Sequence, residues 1–84
     1  MEEYKLVLIR WVDSYTFSTR WEFIEDIGEL ELMECVSVGF VVKENDTGIM
    51  IIPHISGKNE GGMGGLTIPK VSIIEIIELK IESE

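Results

Sequence analysis

The segment 10–21 contains a group of aromatic and basic side chains that could bind a small planar anion. The members of this group are Arg10, Trp11, Tyr15, Phe17, Arg20 and Trp21. An aromatic ring stacked on a nucleobase contributes about 1–3 kcal/mol, and a guanidinium can pair with a phosphate through two N–H bonds. The segment therefore predicts a nucleotide site in which Tyr15 and Trp21 stack on a base and Arg20 neutralises a phosphate.

The same aromatic residues also have a structural interpretation. We expect Trp11 and Phe17 to pack in the core or at a subunit interface, as large aromatic side chains commonly do. Trp21 either belongs to the site or holds a short helix against the rest of the fold. Both interpretations of Trp21 are left open by the sequence.

The loop Ser56–Gly65 is a second candidate for ligand binding. Backbone N–H groups freed by its glycines can hold an anion, and Lys58 adds positive charge. The loop does not match a P-loop, because it lacks Gly-Lys-[Ser/Thr] and precedes a strand-like segment. It is either a plain hairpin loop or a flap over a ligand, in which Asn59 would hydrogen-bond a ribose or base.

Two polar residues beside prolines complete the predicted site. We predict that His54 hydrogen-bonds the ribose or base and that Lys70 neutralises a phosphate. The alternatives are a partly exposed histidine at a strand end and a solvated lysine. The full predicted ligand-binding set is Tyr15, Arg20, Trp21, His54, Lys58, Asn59 and Lys70.

The residue types give little support for catalysis or for metal binding. The chain has one cysteine and one histidine, so it can form neither an internal disulfide nor a histidine pair for a metal. Cys35 lies inside a strand-like pattern, which favours a buried structural thiol over a nucleophile. We therefore expect no enzyme, no cofactor and no bound metal.

The charge balance is strongly acidic, with 16 acids against 7 bases and a net charge of −9. Such a chain is repelled by DNA and RNA at long range, so a nucleic-acid polymer is not an expected partner. Six of the acids fall in thirteen residues without a base: Glu22, Glu25, Asp26, Glu29, Glu31 and Glu34. Three interpretations of these acids are open. They are a solvated face, a metal site that lacks the usual ligand spacing, or a surface that imitates DNA and docks on a basic host protein.

Residue composition favours a β fold in a single domain spanning residues 1–84. Ile, Val and Thr supply 24 of the 84 residues, while Ala is absent. Branching at Cβ suits a pleated sheet better than a helix. No apolar run approaches the length of a membrane-spanning helix, and no secretory signal pattern is visible at the start of the chain.

The strand-like patterns are five in number: Lys5–Asp13, Leu30–Glu44, Ile49–Ile55, Leu66–Ile68 and Ile73–Ile81. The last of these also fits a helical period, but its isoleucine content favours a strand. Gly39 predicts a bend or bulge and Pro53 an edge or bulge. Trp21–Ile27 is the one predicted helix, capped by Thr19 and ended by Gly28. Together these elements predict a strongly bent five-stranded barrel with one short helix.

Several motifs recur in a known group of proteins. They are Trp11-Val12-Asp13, the run Ser37–Val42, the Asn45-Asp46 hairpin and the segment Thr67–Lys70. In this order they resemble the W-x-D, S-V-G-F and I-P-K pattern of short proteins encoded by bacteriophages and prophages. The resemblance implies an Sm-like small barrel that assembles through its edge strands, and a non-enzymatic accessory or counter-defence role in the host cytoplasm.

Two functions of different classes follow from these features. The first is a homo-oligomeric binding protein that sequesters a small nucleotide-derived immune signal, of the cyclic nucleotide or ADP-ribose type. Its site would lie between the aromatic segment and the glycine loop, of one subunit or of adjacent subunits. The second is an inhibitor whose acidic 22–34 segment docks on a basic host protein. No membrane partner is expected for either.

Overall fold

The computed structural model describes residues 4–16, 18–58, 60–80 and 82, and strands predominate among them. The strands are β1 (Leu6–Asp13), β2 (Met33–Glu44), β3 (Gly48–Ile52), β4 (His54–Ile55), β5 (Gly62–Met63), β6 (Leu66–Pro69) and β7 (Ile73–Leu79). Two single 3-10 turns lie at Ile24–Asp26 and Lys70–Ser72. The predicted mainly β class is confirmed.

Five of the strands form one antiparallel sheet in the order β6-β3-β2-β1-β7. β1 lies between β2 and β7, so the chain returns at its end to pair with its first strand. The short strands β4 and β5 pair separately as a small hairpin that carries the glycine loop. The sheet therefore agrees with the predicted strand number.

A small aliphatic core covers one face of this sheet. Its members are Val7, Ile9, Ile49, Ile51 and Ile68, with Trp11, Val41 and Ile73 packed against them. Alternation along β1 places Val7 and Ile9 on the core side, because successive side chains of a strand point to opposite faces. Trp11, which was expected in the core or at a subunit interface, packs against the core, and its indole N–H donates a hydrogen bond of 3.0 Å to Ser37 Oγ. The prediction for Phe17 lies outside the described residues.

A closed barrel is not found within the described ranges. Closure would require β6 and β7, the two outer strands, to pair with each other, and the sheet order leaves them at opposite edges. The radius of gyration is 17.1 Å, whereas a compact chain of this length would have one of about 12 Å. The sheet is thus open, and the chain is more extended than a compact domain of its length.

The predicted helix Trp21–Ile27 is reduced to the single 3-10 turn Ile24–Asp26. Phe23, and not Thr19, occupies the position before the turn, and no side chain caps it. A seven-residue helix is marginal in water, and this one has no buried residue to anchor it. Residues 14–16 and 18–32 are therefore mostly irregular. The segment 14–32 between β1 and β2 is here called the arm.

The remaining element predictions need smaller corrections. Leu30–Glu44 begins as a strand only at Met33, because Asp13–Met33 is the last pair of the β1–β2 ladder. The irregularity expected at Gly39 lies instead between Val41 and Lys43, in the β2–β3 ladder. Pro53 interrupts Ile49–Ile55 and separates β3 from β4, as its missing N–H leads one to expect.

The end of the sheet agrees with its sequence pattern. The ambiguous last segment is a strand, β7, and its predicted final residue Ile81 lies outside the described residues. The expected turn at Pro69-Lys70 is the second 3-10 turn, Lys70–Ser72. Among the residues described, no helix has the length and apolarity needed to cross a bilayer.

Candidate functional site

Tyr15 lines a cavity of about 530 Å³ at the base of the arm. The rest of the wall is formed by the consecutive residues Ile27, Gly28, Glu29, Leu30 and Glu31. Ligand pockets for small molecules usually enclose about 300–1,000 Å³. The Tyr15 cavity therefore has the size of a small-molecule site and contains one of the predicted stacking residues.

The chemistry of this cavity is aromatic, aliphatic and acidic. The Tyr15 side chain is 42% exposed, so its ring remains accessible to a ligand. Ile27 and Leu30 supply aliphatic surface, while Glu29 and Glu31 supply carboxylates. Ionised carboxylates only accept hydrogen bonds, so they suit the hydroxyl and amino groups of a ligand and repel phosphates.

Arg20 and Trp21 lie further along the arm and do not belong to the wall of this cavity. Trp21 is fully exposed, so it does not hold a helix against the sheet. Arg20 is also exposed, and its backbone N–H donates a hydrogen bond of 3.1 Å to Ser18 Oγ. Both side chains are exposed, so they can meet a ligand or another protein surface.

The glycine loop forms separate and more open concavities. His54 lies on β4, where it lines a shallow surface with Ile55, Ser56 and the β5 segment. A neighbouring concavity of about 170 Å³ is bounded by Tyr4, Val42, Ile52, Ile55 and 60–62. Lys58 is exposed in the turn of this loop, and the predicted site residue Asn59 lies outside the described residues.

Lys70 is engaged by an acid of the neighbouring hairpin. Its ammonium Nζ lies 2.8 Å from Oε2 of Glu44, at the end of β2. The hydrogen bond and the charge of Lys70 hold the pKa of Glu44 below its ordinary value. Lys70 is therefore ion-paired and not simply solvated, and a phosphate ligand would have to compete with Glu44 for it.

Arg10 is occupied in a similar way. Its two terminal nitrogens bond Oε1 of Glu34 on β2 and, at 3.2 Å, Oε1 of Glu75 on β7. The hydrogen bond to Glu34 raises the pKa of Arg10 most, and the hydrogen bond to Glu75 raises it further. The cluster ties together three adjacent strands and removes Arg10 from the groups that could bind an anion.

The predicted ligand-binding residues thus fall into three places. Tyr15, Arg20 and Trp21 belong to the arm, His54 and Lys58 to the glycine loop, and Lys70 to the second 3-10 turn. The wall residues Ile27–Glu31 were missed by the sequence reasoning. The signal that could have revealed them is the alternation of acidic and apolar residues directly after Gly28.

Cys35 and the acidic residues show no arrangement typical of catalysis or metal binding. Cys35 is half-buried, less so than expected, and its Sγ lies 3.7 Å from the carbonyl oxygen of Met33. In the described part of the chain, no three His, Cys, Asp or Glu side chains converge as a metal site would require.

Comparison with known proteins gives no further guide to the site. No protein family, curated protein or solved structure matches this chain. The function must therefore be argued from the geometry described above.

Proposed function

We propose that this protein is a non-enzymatic binding protein that captures a small nucleotide-derived molecule in the Tyr15 cavity. The supporting observation is that Tyr15, selected from the sequence as a base-stacking residue, lines a cavity of ligand size. A base would stack on the Tyr15 ring against the aliphatic surface of Ile27 and Leu30. Ribose hydroxyl groups or a base amino group would donate hydrogen bonds to Glu29 and Glu31.

The charges around the cavity restrict the class of ligand. Two carboxylates in the wall repel a compact run of phosphates, so the nucleoside part would enter and the phosphates would remain outside. Arg20, in the same arm, is the base best placed in sequence to reach them. A ligand with few phosphates and more than one ribose, such as an ADP-ribose derivative or a cyclic dinucleotide, fits these conditions.

The biological setting of the proposal comes from the resemblance to short phage proteins. In the cytoplasm of a bacterial host, capture of such a molecule would remove a nucleotide signal of the immune response. Sequestration requires no bond to be broken, which agrees with our expectation that the chain is not an enzyme. An Sm-like barrel remains part of this proposal, because closure between the outer strands could accompany assembly.

Isothermal titration calorimetry with cyclic dinucleotides and isomers of cyclic ADP-ribose tests the proposal. We expect binding heat with at least one ligand, and we expect Tyr15→Ala to weaken binding roughly 5- to 150-fold, the equivalent of one lost stack. Tyr15→Phe keeps the ring and should bind nearly as the parent does. Tyr4→Ala, which removes a tyrosine from the concavity at the glycine loop, serves as the matched control.

Two outcomes would contradict ligand capture in the Tyr15 cavity. One is the absence of heat with every ligand at tens of micromolar protein. The other is equal weakening by Tyr15→Ala and Tyr4→Ala, which would place the ligand elsewhere or indicate a general loss of structure. Chromatography of the recovered ligand should show it unchanged, since a hydrolysed product would indicate an enzyme.

A second candidate function is docking on a basic host protein. The observation in its favour is that five acids of the arm are exposed, whereas the ion pairs found among the described residues involve other acids. With Arg20 as the one base of the segment 20–31, this part of the arm is strongly negative. Such a surface steers a basic partner towards it and loses strength as salt is raised.

Charge reversal separates this candidate from ligand capture. Glu22, Glu25 and Asp26 lie outside the cavity wall, so their combined replacement by lysine should abolish a host protein band in a pull-down. The same variant should bind nucleotide as the parent does. A pull-down in which parent and variant recover the same proteins would contradict acidic docking.

A further inference from the structure

An exposed aliphatic patch lies on the sheet face opposite the core. Leu8 of β1 is directly opposite Val38 of β2 and Ile77 of β7, and Val36 lies two residues along β2 from Val38. Residues opposite each other in a ladder share one face, so these four side chains are neighbours. We call them the outer face. Val36, Val38 and Ile77 are exposed by 61%, 47% and 42%.

The arm carries a second exposed apolar surface. Its large apolar side chains include Trp21, Phe23, Ile24, Leu30 and Leu32, all exposed by more than 60%. They are interleaved with the acids of the arm, so an apolar side can be covered while the carboxylates stay in water. The backbone hydrogen bonds found in the arm, from Asp26 to Phe23 and from Ile27 to Ile24, are local.

The chain exposes more area than a compact monomer of its mass. It exposes 7170 Å², whereas a folded monomer of 9.5 kDa is expected to expose about 5,000 Å². The excess, roughly 2,000 Å² per chain, is more than the ~800 Å² that one partner buries in a standard interface. Two chains that covered this excess would bury about 4,000 Å² in total, which lies in the range of obligate homodimers.

We propose that a second copy of this chain covers this surface, with the arm of each copy lying across the outer face of the other. One reciprocal contact of this kind covers both apolar surfaces of both chains, whereas a foreign partner docked at one place would leave the other exposed. Exchange of an identical segment between copies is a low-cost route to a symmetric dimer. The inference does not depend on ligand capture.

The dimensions of the arm permit this contact. The arm leaves the sheet at Asp13 and returns at Met33, which are paired in the ladder. Half of its nineteen residues can extend up to about 30 Å. The outer face is three strands wide, which amounts to roughly 10–15 Å. The arm can therefore cross the outer face of a neighbour without displacing any strand.

Electrostatics oppose this association and give it a characteristic salt dependence. Each copy has a net charge of −9, so two copies repel each other at low ionic strength. Salt screens that repulsion while leaving the apolar contact intact. We therefore expect association to strengthen as salt is raised, whereas docking of the acidic arm on a basic protein would weaken.

Light scattering after size exclusion tests the arrangement on the full chain. We expect the parent to have twice the chain mass of 9.5 kDa. Val38→Lys on the outer face and Phe23→Lys at the middle of the arm should each weaken association by at least about tenfold, because each puts a charge into an apolar contact. Phe23 is chosen because it is exposed and lies outside the wall of the Tyr15 cavity. Val71→Lys is the matched control, since Val71 is almost fully exposed in the second 3-10 turn and belongs to neither surface. It should leave the mass unchanged.

Mixing the two disruptive variants distinguishes arm exchange from simple face-to-face packing. In a mixed dimer, the intact arm of the Val38→Lys chain meets the intact face of the Phe23→Lys chain, so one of the two reciprocal contacts carries no substitution. We expect the mixture to associate more tightly than either variant alone, with circular dichroism confirming that both are folded. A monomeric parent would overturn the proposal. A Phe23→Lys variant that associates as tightly as the parent would overturn the role of the arm.

Discussion

The lack of a side chain at Gly39 allows β3 to lie close against β2. A Cβ atom at this position would stand 3.1 Å from Cβ of Ile51 and 3.2 Å from the backbone N and C of Ile52. These neighbours belong to a strand, so they cannot move aside as the end of a flexible side chain could. Gly39 is therefore needed for space and not for an unusual backbone angle.

We predict that Gly39→Ala lowers the free energy of unfolding by about 1–3 kcal/mol, because overpacking forces backbone shifts in the core. Urea denaturation followed by circular dichroism measures the loss. Gly57→Ala is the matched control, since a Cβ there meets nothing within 4 Å, and it should change stability much less. Equal midpoints for the two variants would show that β2 and β3 have room for a side chain.

At the scale of single residues, the sequence indicated which side chains pack inside or line a surface better than it indicated which residues they contact. Trp11, expected in the core or at a subunit interface, packs against the core. Tyr15 was expected in a site between the aromatic segment and the glycine loop, whereas the cavity it lines is walled by residues 27–31 and by no residue of that loop. Lys70 was expected either to bind an anion or to remain solvated, yet it pairs with Glu44. That pairing depends on β2 and the second 3-10 turn meeting in space, which no local pattern records.

At the scale of elements, the strands followed from side-chain alternation and the arm did not. β7 was predicted correctly because its isoleucines outweigh a weak helical period. Trp21–Ile27 has a helix-like pattern, but a short helix is stable only when its apolar side is buried by other elements. Periodicity shows that a segment could be amphipathic. It does not show that the chain supplies a surface for it.

The start of β2 illustrates the same dependence on partners. Leu30 and Leu32 alternate with Glu29 and Glu31 as in a strand, yet the strand begins at Met33. A strand needs a neighbour for its N–H and C=O groups, and β1 ends at Asp13. Closure of a barrel is likewise a property of strand tilt and stagger across the sheet, which the order of strands along the sequence leaves undetermined.

At the scale of the whole molecule, the buried core is too small for the apolar surface that the chain carries. Among the described residues, five aliphatic side chains are buried, all on one face of the sheet. A chain of this length has little hydrophobic burial to set against its conformational entropy. If assembly supplies the missing burial, folding and association are linked and stability depends on protein concentration.

We predict that the melting temperature of the parent rises by about 3–6 °C for each tenfold increase in protein concentration. The physical reason is mass action, because a folded dimer dissociates into two unfolded chains and dilution favours dissociation. Differential scanning calorimetry at three concentrations in moderate salt measures the shift. Val38→Lys, if it remains folded as a monomer, should melt at a temperature independent of concentration and below that of the parent. A parent with a constant melting temperature would mean that the open sheet is stable alone, and the exposed outer face would then need another explanation.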